Sequence, residues 1–290
     1  MGLIADYEGS AEGYEPVAVP LGPENDGDMP GRGAAVLRRR SARPSKRAVI
    51  YVHCLGDSFV PGDLAGWYTE RGFHFYVADL RTEAGSNRPG TAGRPGAGGA
   101  EGAARELTGF FASLDAAVLH LRVSDCIDTL VVCAHGAGAV IAALWCHARR
   151  ASQPADALVL ASPAVGRGAP ALSRQAAQGG EPGEYRRWGP LLATAQRRLR
   201  RGLDIACPVL VMCPASGWDS PSGSGGLLGL RLIAGRRATV RLGAHVTWMR
   251  LDGGQPGEAL PAGEARRQFF DELGRWLSAY LSGQIRDQLL

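Results

Sequence analysis

The chain has 290 residues, 45% hydrophobic and 21% charged, values that exclude a disordered or fibrous polypeptide and allow one large core. Its 32 basic residues interleave with 28 acidic ones for a formal net charge of +4. A dedicated nucleic-acid binder would concentrate positive charge on one face, so that class is set aside.

Residues 1–32 are acidic and rich in Gly and Pro; they read as an irregular segment with one edge strand at 14–21. From residue 33 onward the chain reads as a single domain. Apolar runs of strand length occur at 34–37, 48–54, 73–80, 130–134, 157–161, 209–213 and 245–251. Several are continuous and unalternating, the pattern of strands covered on both faces. Helical stripes lie between or after them: Leu107, Phe110, Phe111, Leu114, Val118 and Leu121, then Phe269, Phe270, Leu273, Trp276, Leu277 and Tyr280. Strands alternating with helices predict an α/β fold with a mostly parallel, doubly wound sheet of eight strands. Two stretches break the rhythm. Residues 83–102 read as a Gly/Pro/Ala loop, and 166–201 as an inserted, reduced cap that ends in an Arg-rich helix at 185–201.

The uncharged run 129–146 approaches membrane-spanning length, but Ala134-His135-Gly136-Ala137-Gly138 at its centre reads as a sharp turn between a strand and a helix. No basic-then-apolar segment opens the sequence, and the six cysteines include no C-x-x-C pair. Reduced cysteines, mostly in the core, and a cytoplasmic location are therefore expected.

The strand–turn–helix at 130–150 resembles the α/β-hydrolase superfamily, in which G-x-S-x-G places a serine on a tight turn and the next backbone N–H in the oxyanion hole. Two further motifs carry the resemblance. Tyr51-Val52-His53-Cys54-Leu55-Gly56-Asp57 is similar to the His-Gly loop after the third strand. Ala78-Asp79-Leu80-Arg81, with Gly85-Ser86 following, is similar to the turn after the fourth. The likeness spans about residues 33–281, in the manner of lysophospholipase-like or serine-aminopeptidase-like bacterial hydrolases. Against that pattern the triad positions depart. Gly136 stands at the serine position, Pro256 where the family carries histidine, and Asp219 is the one candidate acid after the seventh strand. Nucleophile, base and acid act as a unit, so ordinary serine hydrolysis is not expected.

The resemblance implies that the N–H groups of Leu55 and Ala137 still converge as oxyanion donors beside the helix that begins after Gly136. That arrangement suits chemistry through an enolate or phenolate. The expected function is a non-hydrolytic, cofactor-independent enzyme of bacterial specialised metabolism: C–C bond formation, cyclisation or elimination on an apolar polyketide or polycyclic aromatic substrate. A catalytically inactive pseudo-hydrolase acting as a binding or scaffold protein is the alternative, and a cofactor-free oxygenase a further one.

His53 and His135 are candidates to move the proton, because imidazole titrates near neutrality; each also has a structural reading, holding the loop or the turn. Cys54 stands beside His53, and Cys54, Asp57, Ser58 and Gly136 are expected to line the substrate site, although Asp57 also suits a helix cap. Trp188 and Trp218 offer faces for stacking on an aromatic ligand, whereas Trp248 reads as core. The arginines at 186–201 read as a solvated helix face. Neither His-rich metal spacing nor a phosphate-binding glycine loop is present, so no metal and no cofactor are expected. The expected partner is a small apolar substrate, with no nucleic acid and no membrane; a homodimer is compatible with this reading.

Overall fold

The computed structural model describes residues 13–20, 33–52, 62–79, 99–161, 194–195, 197–199, 201–214, 231–233, 236–238, 241–253 and 260–287. Strands β1 (Glu15–Pro20), β2 (Gly33–Arg39), β3 (Arg47–Val52), β4 (His74–Asp79), β5 (Thr129–His135), β6 (Ala157–Ala161), β7 (Val209–Pro214) and β10 (Val246–Leu251) form one sheet. Their order is β1-β2-β4-β3-β5-β6-β7-β10. The β1–β2 and β2–β4 pairs are antiparallel, and all the others are parallel. A separate hairpin joins β8 (Arg231–Ile233) to β9 (Arg236–Ala238).

Each long helix covers one face. On one side α2 (Gly99–Val123) and α3 (Gly136–Ala148) pack over Ala48, Ile50, Val52, Leu130, Val132, Leu158, Val209 and Val211. On the other, α1 (Gly62–Glu70) and α4 (Gly263–Asp287) pack over Val49, Tyr51, Phe75, Val131, Val159, Leu210 and Met212. Successive strand residues thus enter opposite cores, which is why these strands carry no polar face. Helix α3 is apolar all round because it is enclosed all round: every residue from Gly136 to Cys146 is buried. Among the described residues no helix is long and apolar enough to cross a membrane; the uncharged run at 129–146 is divided between β5 and α3.

Polar clasps hold the layers in register. Asp115 on α2 accepts from Trp145 Nε1 at 2.8 Å and from Arg149 Nη2 at 2.7 Å, fixing α3 against α2. Asp156 Oδ2 accepts from the Leu130 N–H at 2.7 Å and from Arg122 Nη2 at 2.9 Å, which locks the entry to β5. Arg38 on β2 reaches Glu15 at 2.8 Å and Asp125 at 2.9 Å, and Tyr76 donates to the same aspartate at 2.7 Å. The N-terminal strand is thereby tied through β2 to the turn after α2.

Three expectations need correction, and one element was not foreseen. Helix α2 begins at Gly99, inside the stretch read as loop, because Ala100, Glu101, Ala103 and Ala104 are good helix formers. The β8–β9 hairpin went unforeseen: its strands are three residues long and arginine-rich, with no run of apolar alternation. Cys126 is not core; it lies exposed in the turn after α2 at φ +54, and Cys207 is only partly buried. Trp248 is partly buried, because β10 is an edge strand with one neighbour, although it does pack on the core. The stretch 166–201, read from the sequence as an insertion, is described only at helical residues 194–195 and 197–199 and at 201. Arg197, Arg198 and Arg201 are exposed there, as a solvated face requires.

Candidate active site

The order of the sheet places a switch point between β3 and β5. From β3 the chain crosses to β4 on one side; from β5 it crosses to β6 on the other. In open α/β sheets the crevice for ligands forms at this point, outside the carboxyl ends of the strands. Here Val52, the last residue of β3, pairs with Ala134, and Ala161, the last of β6, pairs with His135. The junction from β5 into α3 therefore sits at the mouth of that crevice, and the end of β3 at Val52 lies beside it.

The junction is as short as a strand-to-helix connection can be: β5 ends at His135 and α3 begins at Gly136 with no residue between. His135 is extended, at φ −133° and ψ 147°. Gly136 then turns the chain at φ +58°, in the left-handed region that side-chain-bearing residues enter only at a cost. This is the elbow expected from the sequence, and the residue on it carries no hydroxyl.

The first turn of α3 presents backbone N–H groups toward the crevice end of the strands. His135 occupies the N-cap position without a side-chain hydrogen bond to the helix, and no acidic residue stands in the first turn. Helix N-termini carry partial positive charge, and their first N–H groups lack intrahelical acceptors. Gly136, Ala137 and Gly138 are all buried, so water screens this end weakly. Chemically, the elbow can stabilise negative charge on an oxygen placed before it.

The described cysteines nearest the strand ends do not supply a displaced nucleophile. Burial pushes the Cys133 thiol on β5 up to about 12, with Tyr68 beside it. Burial likewise raises Cys213 at the end of β7. Both stay protonated at neutral pH, and the thiolate is the reactive form. Among the described residues no group of three or more His, Cys, Asp or Glu is placed to hold a metal ion.

Of the residues singled out from the sequence, His135, Gly136 and Ala137 are described, and they form the elbow. His135 is 1% exposed, enclosed between the strand ends and α3. His53, Cys54, Leu55, Asp57, Ser58, Trp188 and Trp218 lie outside the described residues, as do Asp219 and Pro256. The uncapped start of α3 was not singled out in the sequence; the absence of Ser, Thr, Asp or Asn before the apolar run at 136–146 is the signal that would have marked it.

Solved structures with the same fold span nearly the whole chain. Est1E from Butyrivibrio proteoclasticus, solved with ferulic acid bound, has a TM-score of 0.57 at 12% identity, covering 92% of this chain and 99% of its own. A soluble variant of monoglyceride lipase from Saccharomyces cerevisiae, in complex with a substrate analog, has a TM-score of 0.56 at 12% identity, covering 91% and 95%. Esterase LipW from Mycobacterium marinum has a TM-score of 0.55 at 17% identity, covering 96% and 85%. At such identities the likeness is one of fold. No curated protein sequence matches the chain. The family described as "Serine aminopeptidase, S33" matches residues 43–205, more than half of the chain, from the approach to β3 through the elbow to the approach to β7. The chain therefore belongs to this serine aminopeptidase family and has the α/β-hydrolase fold.

Proposed function

We propose that the chain is a non-hydrolytic, cofactor-independent catalyst built on the α/β-hydrolase fold, with the hydrolytic triad lost. It binds a largely apolar carbonyl compound, of polyketide or polycyclic aromatic type, at the switch point. It polarises the carbonyl through the Ala137 and Leu55 N–H groups. The observation that supports the reading is the glycine at φ +58° on the elbow, a residue with no side-chain hydroxyl to attack an acyl carbon. Backbone donors aimed at a developing oxyanion contribute a large share of catalysis in acyl transfer, and they serve an enolate or phenolate equally well. His53 or His135 carries the proton to or from the substrate carbon, and cyclisation, C–C bond formation or elimination follows.

The experiment is mass spectrometry of the purified protein incubated aerobically with an extract of a host strain lacking this gene. A consumed intermediate and a new product without added water supports the proposal, and the mass difference separates addition, elimination and oxygenation. Ala137→Pro deletes one donor within the first helical turn, where proline is tolerated. It should lower turnover by about 10²–10³-fold without loss of helix content. Unchanged turnover in Ala137→Pro, or a product that has gained water, overturns the reading. Retention of a small molecule in the native spectrum with no product over long incubation also overturns it, in favour of a binding protein.

A further inference from the structure

Helix α2 carries two apolar lines. The inner one, through Phe110, Leu114, Val118 and Leu121, is buried over the sheet. The outer one faces solvent. Among the described residues, the large hydrophobic side chains left exposed are Leu119 and Val123, at 64% and 67%. They stand one turn apart, and their line runs back through Ala116 and Ala112, both partly exposed, to exposed Gly109. The steps are three, four, three and four residues, the spacing of a coiled-coil seam. On a helix that only covers a sheet the outward face is expected to be polar, so an apolar seam there marks a contact surface.

We propose that the outer face of α2 is a self-association surface whose occupant is α2 of a second copy of this chain, packed antiparallel. The seam is graded, and the grading selects the copy and its direction. Its first half, Gly109, Ala112 and Ala116, is small; its second half, Leu119 and Val123, is large. A parallel copy sets large against large and leaves voids between the small residues. An antiparallel copy, related by a two-fold axis between residues 117 and 118, sets Val123 against the partner's Ala112 and Leu119 against the partner's Ala116. Both contacts then occur twice, as an isologous interface requires, and every knob meets a hole. The charges agree. Asp115 and Arg122 stand on the same flank of the seam, seven residues apart and of opposite sign. Like flanks meet in an antiparallel pair, so each Asp115 comes level with the partner's Arg122 to within about 3 Å along the axis. Asp115 is tied to Arg149 at 2.7 Å and Arg122 to Asp156 at 2.9 Å, and both keep part of the side chain exposed. Rim charges of this kind fix orientation more than affinity.

The seam from Gly109 to Val123 is about 21 Å long, shorter than a standard interface of about 800 Å² per partner needs, so the dimer is a weak one. The test is sedimentation velocity of the full chain from about 1 to 500 μM, in reductant so that no disulfide through exposed Cys126 contributes. A monomer–dimer equilibrium with Kd of about 10–100 μM is expected. Leu119→Glu with Val123→Glu should weaken it at least about tenfold while helix content and Tm stay those of the parent, because both positions are exposed. Ala112→Val fills the hole that receives Val123 and should also weaken the dimer about tenfold, although it makes the seam more apolar. Adding Val123→Ala to it moves the knob to the other helix and should restore the parent Kd to within about threefold. A chain that is monomeric throughout, a dimer indifferent to the two glutamates, a tighter dimer in Ala112→Val, or no rescue in the exchanged pair each overturns the proposal.

Discussion

The left-handed turn at Gly136 makes a quantitative claim that a single methyl group tests. At φ +58° an L-residue brings Cβ against the following carbonyl, which costs about 1–2 kcal/mol. Gly109 offers the opposite case in the same molecule. It lies within α2, exposed, and a Cβ there would meet nothing within 4 Å. Alanine there should therefore gain the helix-propensity difference of about 0.8–1 kcal/mol. The two Gly→Ala changes add the same atoms and should move stability in opposite directions, separated by about 2–3 kcal/mol. For a chain of this size about 1 kcal/mol corresponds to roughly 2–4 °C. Gly136→Ala should thus unfold several degrees below the parent and Gly109→Ala a few degrees above it. Urea unfolding monitored by tryptophan fluorescence gives the free energies directly, and equal m-values would show that both variants unfold the same core. A Gly136→Ala protein as stable as the parent would refute the elbow, because residue 136 would then be an ordinary first helical residue.

Three other outcomes follow from the same contacts. Asp115→Ala strands the indole N–H of fully buried Trp145 and should cost about 1–3 kcal/mol, whereas Asp115→Asn keeps an acceptor and should cost less; equal losses would place the clasp's value in its charge alone. Stability should fall as pH rises above about 9. Burial raises Cys133 from 9.0 to about 12 and raises Tyr76 and Tyr68 above 10.0, so the unfolded chain releases these protons first. Each such group then contributes a slope of about 1.4 kcal/mol per pH unit, and urea midpoints that stay flat from pH 8 to 11 in reductant would contradict it. Gly136→Ser restores a hydroxyl to the elbow, yet with proline at 256 it should hydrolyse 4-nitrophenyl butyrate at least about 10⁴-fold more slowly than a complete triad. Rapid turnover with fluorophosphonate labelling at position 136 would show that a base is present after all.

The central strands were legible because the sheet there is buried on both faces: runs such as Leu130–Ala134 are apolar without alternation, and the structure ends β5 at His135, one residue further. Helix α4 was legible for the opposite reason, since Phe269, Leu273, Trp276 and Leu277 form one stripe with polar residues opposite. Helix α3 had no stripe to read, because Gly136 to Cys146 are all buried; its place between a strand and about Arg150 identified it. What escaped lies where tertiary contact, not local pattern, decides. The arginine-rich β8–β9 strands have no apolar face. Cys126 looks like its buried counterparts until its place in the turn after α2 is known. In the site, the motif gave the elbow and its missing hydroxyl, but spacing alone could not reveal that the start of α3 is both buried and uncapped.

That last feature bears on the proposed function, in which a hydrolase scaffold works without a serine on the elbow. The elbow is made by the backbone: β5 is pinned between β3 and β6 by parallel ladders, and α3 is fixed by enclosure from Gly136 to Cys146. None of those constraints depends on a side chain at position 136, and glycine holds φ +58° there without the strain that a residue with a Cβ would carry. A buried helix start without a capping side chain is then a standing deficit of negative charge. It favours an anionic oxygen over a neutral one, which is the differential that lowers a barrier, and the preference persists whether the anion comes from attack on an acyl carbon or from loss of a proton. In the proposed function, the elbow's contribution is therefore one that belongs to the main chain.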